Sequence, residues 1–327
     1  MTIETITDLE QFRALRPDWD ALADSPFASH LWLETWAEQF LGANRLHVLL
    51  ARRDGKLVGA APLFVTQQFG LTVLQFIGMK NVNGELVSFM FGEAEVGREL
   101  FAALLAARWD AISAYGIRSS APLFVTQNQC KVISTSVGTA PVIRLPGDWE
   151  AFLKSCSKNF RRNYKRHTSD GEAAGIRITS DSPANVVERL ISVETRAWQS
   201  KRGKQIIASQ PAFFAKVLPA MLANGQADIV WAVKGDEPVA FLLTLFCRDR
   251  AYLYLTAYDS SFENLSLGSL VHYAAIQKYA DRGVKVIDFL TGYEPYKERW
   301  TQEFEVAWKH VLVRRTFRGR LVALTQL

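Results

Sequence analysis

The sequence predicts an α/β (α+β) protein built from two similar halves. Helical and strand-like patterns alternate along its 327 residues, which excludes a bundle or a solenoid. The run His47–Phe64 lies without a gap on Asp228–Leu245: in each, a strand, a charged glycine turn and a second apolar strand suit a tight hairpin. With 49% hydrophobic and 12% aromatic residues, the chain is no disordered segment and has enough apolar material for one large domain or two of ordinary size.

In order, apolar spacing predicts helices over Asp8–Ala23 and Leu31–Phe40, then strands at Leu46–Arg52, Leu57–Val65 and Leu71–Ile77. A helix over Glu93–Arg108 and a strand at Trp109–Ala114 close the first half. Val142–Leu145 reads as a strand, followed by a basic linking helix over Trp149–Thr168, a strand at Ile176–Thr179, and helices over Asn185–Trp198 and Pro211–Ala223. The echo then supplies strands Ala227–Val233, Val239–Phe246 and Ala251–Tyr258, the helix Leu267–Asp281 and the strand Val284–Leu290. Its helices align glycine on glycine, Gly97 on Gly268. A last strand is expected over Glu305–Phe317. The halves divide at residues 1–141 and 142–327, with a groove expected between them.

A formal charge of +5 is too small and too dispersed to point to DNA, although an anionic ligand suits it. Three distant cysteines, Cys130, Cys156 and Cys247, argue against a disulfide framework or a zinc site and fit a reducing compartment. The five histidines have no metal-ligand spacing, so no metal is expected, and His272 reads as an ordinary helix residue. No apolar run approaches membrane-spanning length, and the opening residues carry no export signal; a cytoplasmic protein is expected.

Three segments carry possible chemistry. Asn264–Ser269 leads into a helix, where unpaired amides and a positive dipole end suit a pyrophosphate and Gly268 permits close approach; an ordinary N-cap by Ser266 explains the same residues. Lys158, Arg161, Arg162, Lys165 and Arg166 crowd three helical turns, as an anion clamp or as a solvated face. "YEPYKERW" crowds Tyr293, Glu294, Tyr296, Lys297 and Trp300 around a proline where a core strand ends; the rings either line a site or cap the core while Lys297 snorkels to solvent. Trp198, closing a helix before a basic loop, divides in the same way between acceptor site and core.

The order strand, hairpin, strand, strand, glycine-led helix, strand resembles the GNAT acyl-coenzyme A transferases. The segments "SPFASHLWLETWAEQF", "DWEAFLKSCSKNFRRNYKRHTSDGEAAG" and "YDSSFENLSLGSLVHYAAIQKYADRGVKVIDFLTGYEPYKERW" are similar to the CelD-type, FemAB-related branch, which has two GNAT-like halves. The resemblance implies a tandem GNAT-like fold and transfer of an acyl group from acetyl-CoA or another acyl-CoA to a small-molecule or sugar-linked acceptor, often in polysaccharide or envelope metabolism. It implies a donor site at Tyr258, Ser266, Leu267, Gly268, Ser269 and Leu270, although Leu265 and Leu270 stand where that family's phosphate loop has a Gln or Arg and a small residue. Acceptor contacts fall to Arg161, Arg162, Trp198, Tyr293, Tyr296 and Trp300. Lys297 matches the family's charge-stabilising lysine, with Glu294 or Asp288 as proton acceptor. The first half, with Glu93, Glu95 and Glu99 around Gly97, is expected to repel phosphates. An aminoacyl-tRNA-dependent transferase and a non-catalytic binding protein are the alternatives.

Overall fold

The computed structural model describes residues 1–118, 130–197, 205–292, 294 and 296–318. The chain divides into two compact units: residues up to Thr139 together with those from Val306, and Ala140–Glu305. The second half was expected to run to 327. Instead the chain returns to the first unit, because Phe304–Arg314 hydrogen-bonds along Ala111–Ile117, from Trp308 opposite Ile117 to Val313 opposite Ala111. An apolar pattern announces a strand but does not say which edge it will join.

In the first unit, Arg45–Arg53 and Lys56–Gln68 form the hairpin, with Thr2–Ile6 along its outer edge. Leu71–Phe76 adds to the hairpin antiparallel, and helix Ala94–Ala106 crosses over to Ala111–Ile117, which runs parallel to Leu71–Phe76. The second unit repeats the scheme. Ala227–Lys234 and Glu237–Cys247 make the hairpin, Arg250–Tyr258 follows antiparallel, and helix Leu267–Asp281 crosses to Val286–Asp288, parallel to Arg250–Tyr252. Its flanks are Ile176–Thr179 and the Val142–Arg144 end of strand Cys130–Arg144. The hairpin echo in the sequence is thus a repeat of pairing as well as of composition.

Two expected helices are broken. Asp8–Ala23 divides into Leu9–Arg13 and Arg16–Leu22, where Pro17 opens a new first turn. The basic linking helix divides into Trp149–Ser155 and Lys158–Ala173, because Cys156 is extended and the Ser157 hydroxyl caps the next helix through the Phe160 amide, 3.1 Å away. The expected strand Val284–Leu290 shortens to Val286–Asp288, since Leu290 takes a left-handed φ of 58° and turns the chain away.

Helices Lys158–Ala173 and Leu267–Asp281 meet tightly: a Cβ on Gly171 would stand 2.7 Å from Leu270 Cδ1. Beneath them, Phe160, Tyr273 and Trp300 pack edge to face and tilted, with ring centroids 4.9–5.6 Å apart. This aromatic cluster is the floor on which the second unit's loops rest.

Candidate functional site

Strand Arg250–Tyr258 ends at Asp259, whose carboxylate caps a short turn through the Ser261 amide and holds Arg196 at 2.7 Å. Burial works to raise the Asp259 carboxyl, but the Ser261 and Arg196 hydrogen bonds keep it below its usual range. Ser266 then adopts φ 52° and throws the chain into helix Leu267–Asp281 without capping it by its side chain, so the N-cap expectation for the Ser266 hydroxyl fails. The Ser269 and Leu270 amides already bond to Ser266 O, which leaves Leu267 and Gly268 as the first-turn amides ahead of them. The side chains of Leu267 and Leu270 are buried in the core, so of these two only the Leu267 amide is left for a ligand. Gly268 is different: a Cβ there would meet only the Tyr258 ring, at an ordinary 3.6 Å.

The equivalent glycine of the first unit is packed shut. A Cβ on Gly97 would stand 2.7 Å from the Phe91 ring, and Arg53 lies 3.0 Å from Glu93 and 3.6 Å from Glu95. Gly97 is needed for packing; packing asks nothing of Gly268.

At the far end of the unit's last strand the loop is built around Lys297. Its Nζ donates to Phe289 O at 2.9 Å, reaches the carbonyls of Leu290, Thr291 and Gly292 at 3.4 Å, and lies 3.5 Å from Glu294. The residue is 5% exposed, which removes the alternative in which it snorkels to solvent. A backbone that turns left-handed at Leu290 points successive carbonyls at one place, and an ammonium with three donors satisfies them. Glu294 is exposed, and Tyr296 is hydrogen-bonded to it; burial and then the Glu294 charge hold the Tyr296 phenol well above its usual range. Asp288 is fully buried. One oxygen takes the Leu290 amide at 2.8 Å and the other lies 3.5 Å from the Arg250 guanidinium, so it shapes the strand exit rather than facing a ligand.

His272 joins the two ends. It is buried one turn after Gly268, its Nδ1 lies 2.6 Å from Gly268 O, and its ring stacks on Phe289 and neighbours Tyr296 and Trp300. A carbonyl only accepts, so Nδ1 carries the proton and Nε2 keeps its lone pair. Burial, with Lys297 adding to it against the Gly268 bond, lowers its pKa to about 4. The unfolded chain takes up a proton near pH 6.5 that the folded chain refuses, so stability is intact above 6.5 and falls as the pH drops towards 4. Between pH 7 and 4.5 this histidine should account for about 2–3 kcal/mol of lost stability. Urea unfolding of the wild type and His272→Gln across that range checks it; equally steep losses would remove His272 as the cause.

The other sequence-derived candidates separate. Arg161 donates to the carbonyls of Leu153, Lys154 and Cys156 at 2.7–3.3 Å, closing the end of helix Trp149–Ser155 instead of gripping a ligand. Arg162 is exposed on its helix. Trp300 is buried in the aromatic floor. Tyr293 and Trp198 lie outside the described residues. Glu194, next to that segment, caps helix Ile206–Ser209 through the amides of Ile206, Ile207 and Ala208. Cys156 lines the same cleft as Ser269, Tyr296 and Trp300, but burial pushes its thiol up to about 11, away from thiolate chemistry at neutral pH. Among the described residues no cluster of His, Cys, Asp or Glu could hold a metal, and no helix is long and apolar enough to cross a membrane.

Residues 158–298 match the family described as Acetyltransferase (GNAT) domain. That match lies wholly within the second unit. No curated protein sequence matches the chain. Among solved structures, the chain is similar to the C-terminal domain of a protein named as a lysylphosphatidylglycerol synthetase in Agrobacterium fabrum, with TM-score 0.64, 12% identity, and coverage of 97% of this chain and 95% of that one. It is also similar to FemX, with TM-score 0.60, 12% identity and full coverage of both chains. L-PGS from Bacillus licheniformis gives 0.54 at 14% identity, covering 97% and 94%. Such identities speak for the fold alone. Within the second unit, the helix start at Gly268 and the Lys297 loop are the two ends that the crossover brings to one cleft, through Ser269, Tyr296 and Trp300. Spacing had singled out both segments. His272 was legible only as the residue one turn after Gly268, a relation that helix periodicity supplies but composition does not.

Proposed function

We propose that the chain is a CelD-type, FemAB-related acyltransferase. It moves an acetyl or other acyl group from acyl-coenzyme A to an amine or hydroxyl of a sugar, amino-sugar or amino-acid-like acceptor, in polysaccharide or envelope metabolism. The observation that carries this reading is the asymmetry of the two glycines: Gly268 is open at a helix start, whereas Gly97 is packed beneath Phe91. The donor's pyrophosphate would lie on the Leu267 and Gly268 amides, at the positive end of the helix. The acceptor nucleophile attacks the thioester carbonyl, Glu294 receives its proton, and coenzyme A leaves as the thiol or thiolate. Lys297 supplies positive potential to the developing oxyanion from within its ring of carbonyls. Cys156, held as a thiol, fits direct transfer without a covalent enzyme intermediate.

Titration calorimetry with acetyl-CoA tests this. Gly268→Ala should leave Tm unchanged or raise it, because its Cβ meets no tight neighbour and alanine is the better helix former. The same variant should weaken acetyl-CoA binding about tenfold if phosphates approach the backbone there. Binding unaffected by Gly268→Ala would move the donor elsewhere, and absence of binding would refute the coenzyme A reading. An aminoacyl group carried by tRNA is the second reading of the donor, as the sequence resemblance to the FemAB-related branch implies. Aminoacyl-tRNA that binds and transfers while acetyl-CoA does not would establish it.

A further inference from the structure

A cleft of about 570 Å³ opens within the second unit, between the Cys156–Ser157 break, the start of helix Lys158–Ala173 and the closing loop. One wall is aromatic, with Phe160, Tyr273 and Trp300. Asn159, Asn163, His167 and Arg299 supply polar groups. His167 is only 9% exposed. The Arg166 guanidinium stands 3.1 Å from its Nε2, and a guanidinium only donates, so Nε2 accepts and Nδ1 bears the proton. That buried Nδ1–H has no hydrogen-bond partner among the described residues. A buried donor left unsatisfied is destabilising, and a hydrogen-bond acceptor on a bound ligand would relieve it. The charges of Arg166 and Arg299 both bear on this ring, with Asp170 opposing them. Of the two carboxylates at the rim, Glu303 is paired with Arg144 at 3.3 Å and Glu298 is exposed.

We propose that this cleft recognises the acceptor by an anionic oxygen group, phosphate or carboxylate, borne on a saturated ring such as a sugar. The ring lies against Tyr273 and Trp300, and the anion is met by His167 Nδ1–H and Arg299. An aromatic wall beside a donor-rich corner suits a ligand that is apolar on one face and charged at one end. Calling the ligand an acceptor rests on the acyltransfer reading; the anion site itself does not.

The test is NMR of the full chain with labelled histidines, titrated with glucose, glucosamine 6-phosphate, glucuronate and inorganic phosphate, with affinities taken from the same titrations. The charged sugars should shift the His167 Nδ1–H signal and bind at least tenfold tighter than glucose, the scale of one charge-assisted hydrogen bond. The preference between glucosamine 6-phosphate and glucuronate assigns the anion. His167→Phe should abolish the discrimination, while His167→Asn, whose amide can donate from nearly the same place, should retain most of it. If His167→Phe melts early, Arg299→Gln, an exposed change, carries the same expectation. Glucose binding as tightly as the charged sugars, an unmoved His167 signal, or full discrimination in a folded Arg299→Gln protein would overturn the site. Arg299→Gln should leave acetyl-CoA affinity unchanged; a loss there would give the anion corner to the donor. Failure of every acetyl-CoA titration beside intact sugar binding would refute the coenzyme A reading and leave the anion site standing.

Discussion

Replacing Lys297 with alanine is expected to lower kcat about 100-fold and, at the same time, to lower Tm by about 5–10 °C. The first effect is the scale of losing one pre-organised donor to a transition-state charge. The second follows from burial: the substitution leaves the Phe289 carbonyl and its three neighbours without their ammonium, a loss of about 2–3 kcal/mol for a charged hydrogen bond inside a protein. A lysine that snorkelled to solvent, one of the two sequence readings, would instead be removed with little effect on the fold. Assaying well below both melting temperatures separates the two effects. Activity that returns fully at low temperature would make Lys297 a loop builder only; an unchanged melt would mean that the ring of carbonyls contributes nothing. Lys297→Arg should recover little of either, since a planar guanidinium cannot occupy the point where those carbonyls converge.

Arg250→Ala should be the more destabilising change, by about 3–5 kcal/mol, because it strips the fully buried Asp288 of the guanidinium beside it. Asp288→Asn should cost less: an amide oxygen can still take the Leu290 N–H, and Arg250 keeps Glu305 at 2.5 Å. Chemical unfolding of both variants measures the ranking. A proton acceptor in catalysis would show the reverse pattern, with Asp288→Asn inactive at full stability, and that result would return Asp288 to the reaction.

What the sequence disclosed depended on range. The hairpins were legible because alternation and a glycine turn are local, and the glycine-led helices because a 3.6-residue period leaves a stripe. The partner of Phe304–Arg314 was not, since pairing across some two hundred residues leaves no local mark. Arg161 looked like part of a basic face until the break at Cys156 put three carbonyls within its reach. Lys297 was placed in the right loop with the wrong exposure: the left-handed turn at Leu290, which bends the carbonyls inward, is not written in a leucine. The His167 corner was hidden inside the basic run already singled out, because charge counting does not show which side of a helix turns inward.

The return of the chain to its first unit sets a timetable for synthesis. Strand Ala111–Ile117 leaves the ribosome early, yet the residues that cover its open edge are Trp308 to Val313, which emerge only after all of Ala140–Glu305. Arg314, bonded to the carbonyls of Leu105 and Ala107, and Arg318, beside Asp110, then fasten that late segment in place. The second unit, one uninterrupted stretch, can therefore fold while the first still shows a bare sheet edge of the kind that invites aggregation. On that schedule the second unit can be complete before the first, the reverse of the order of translation.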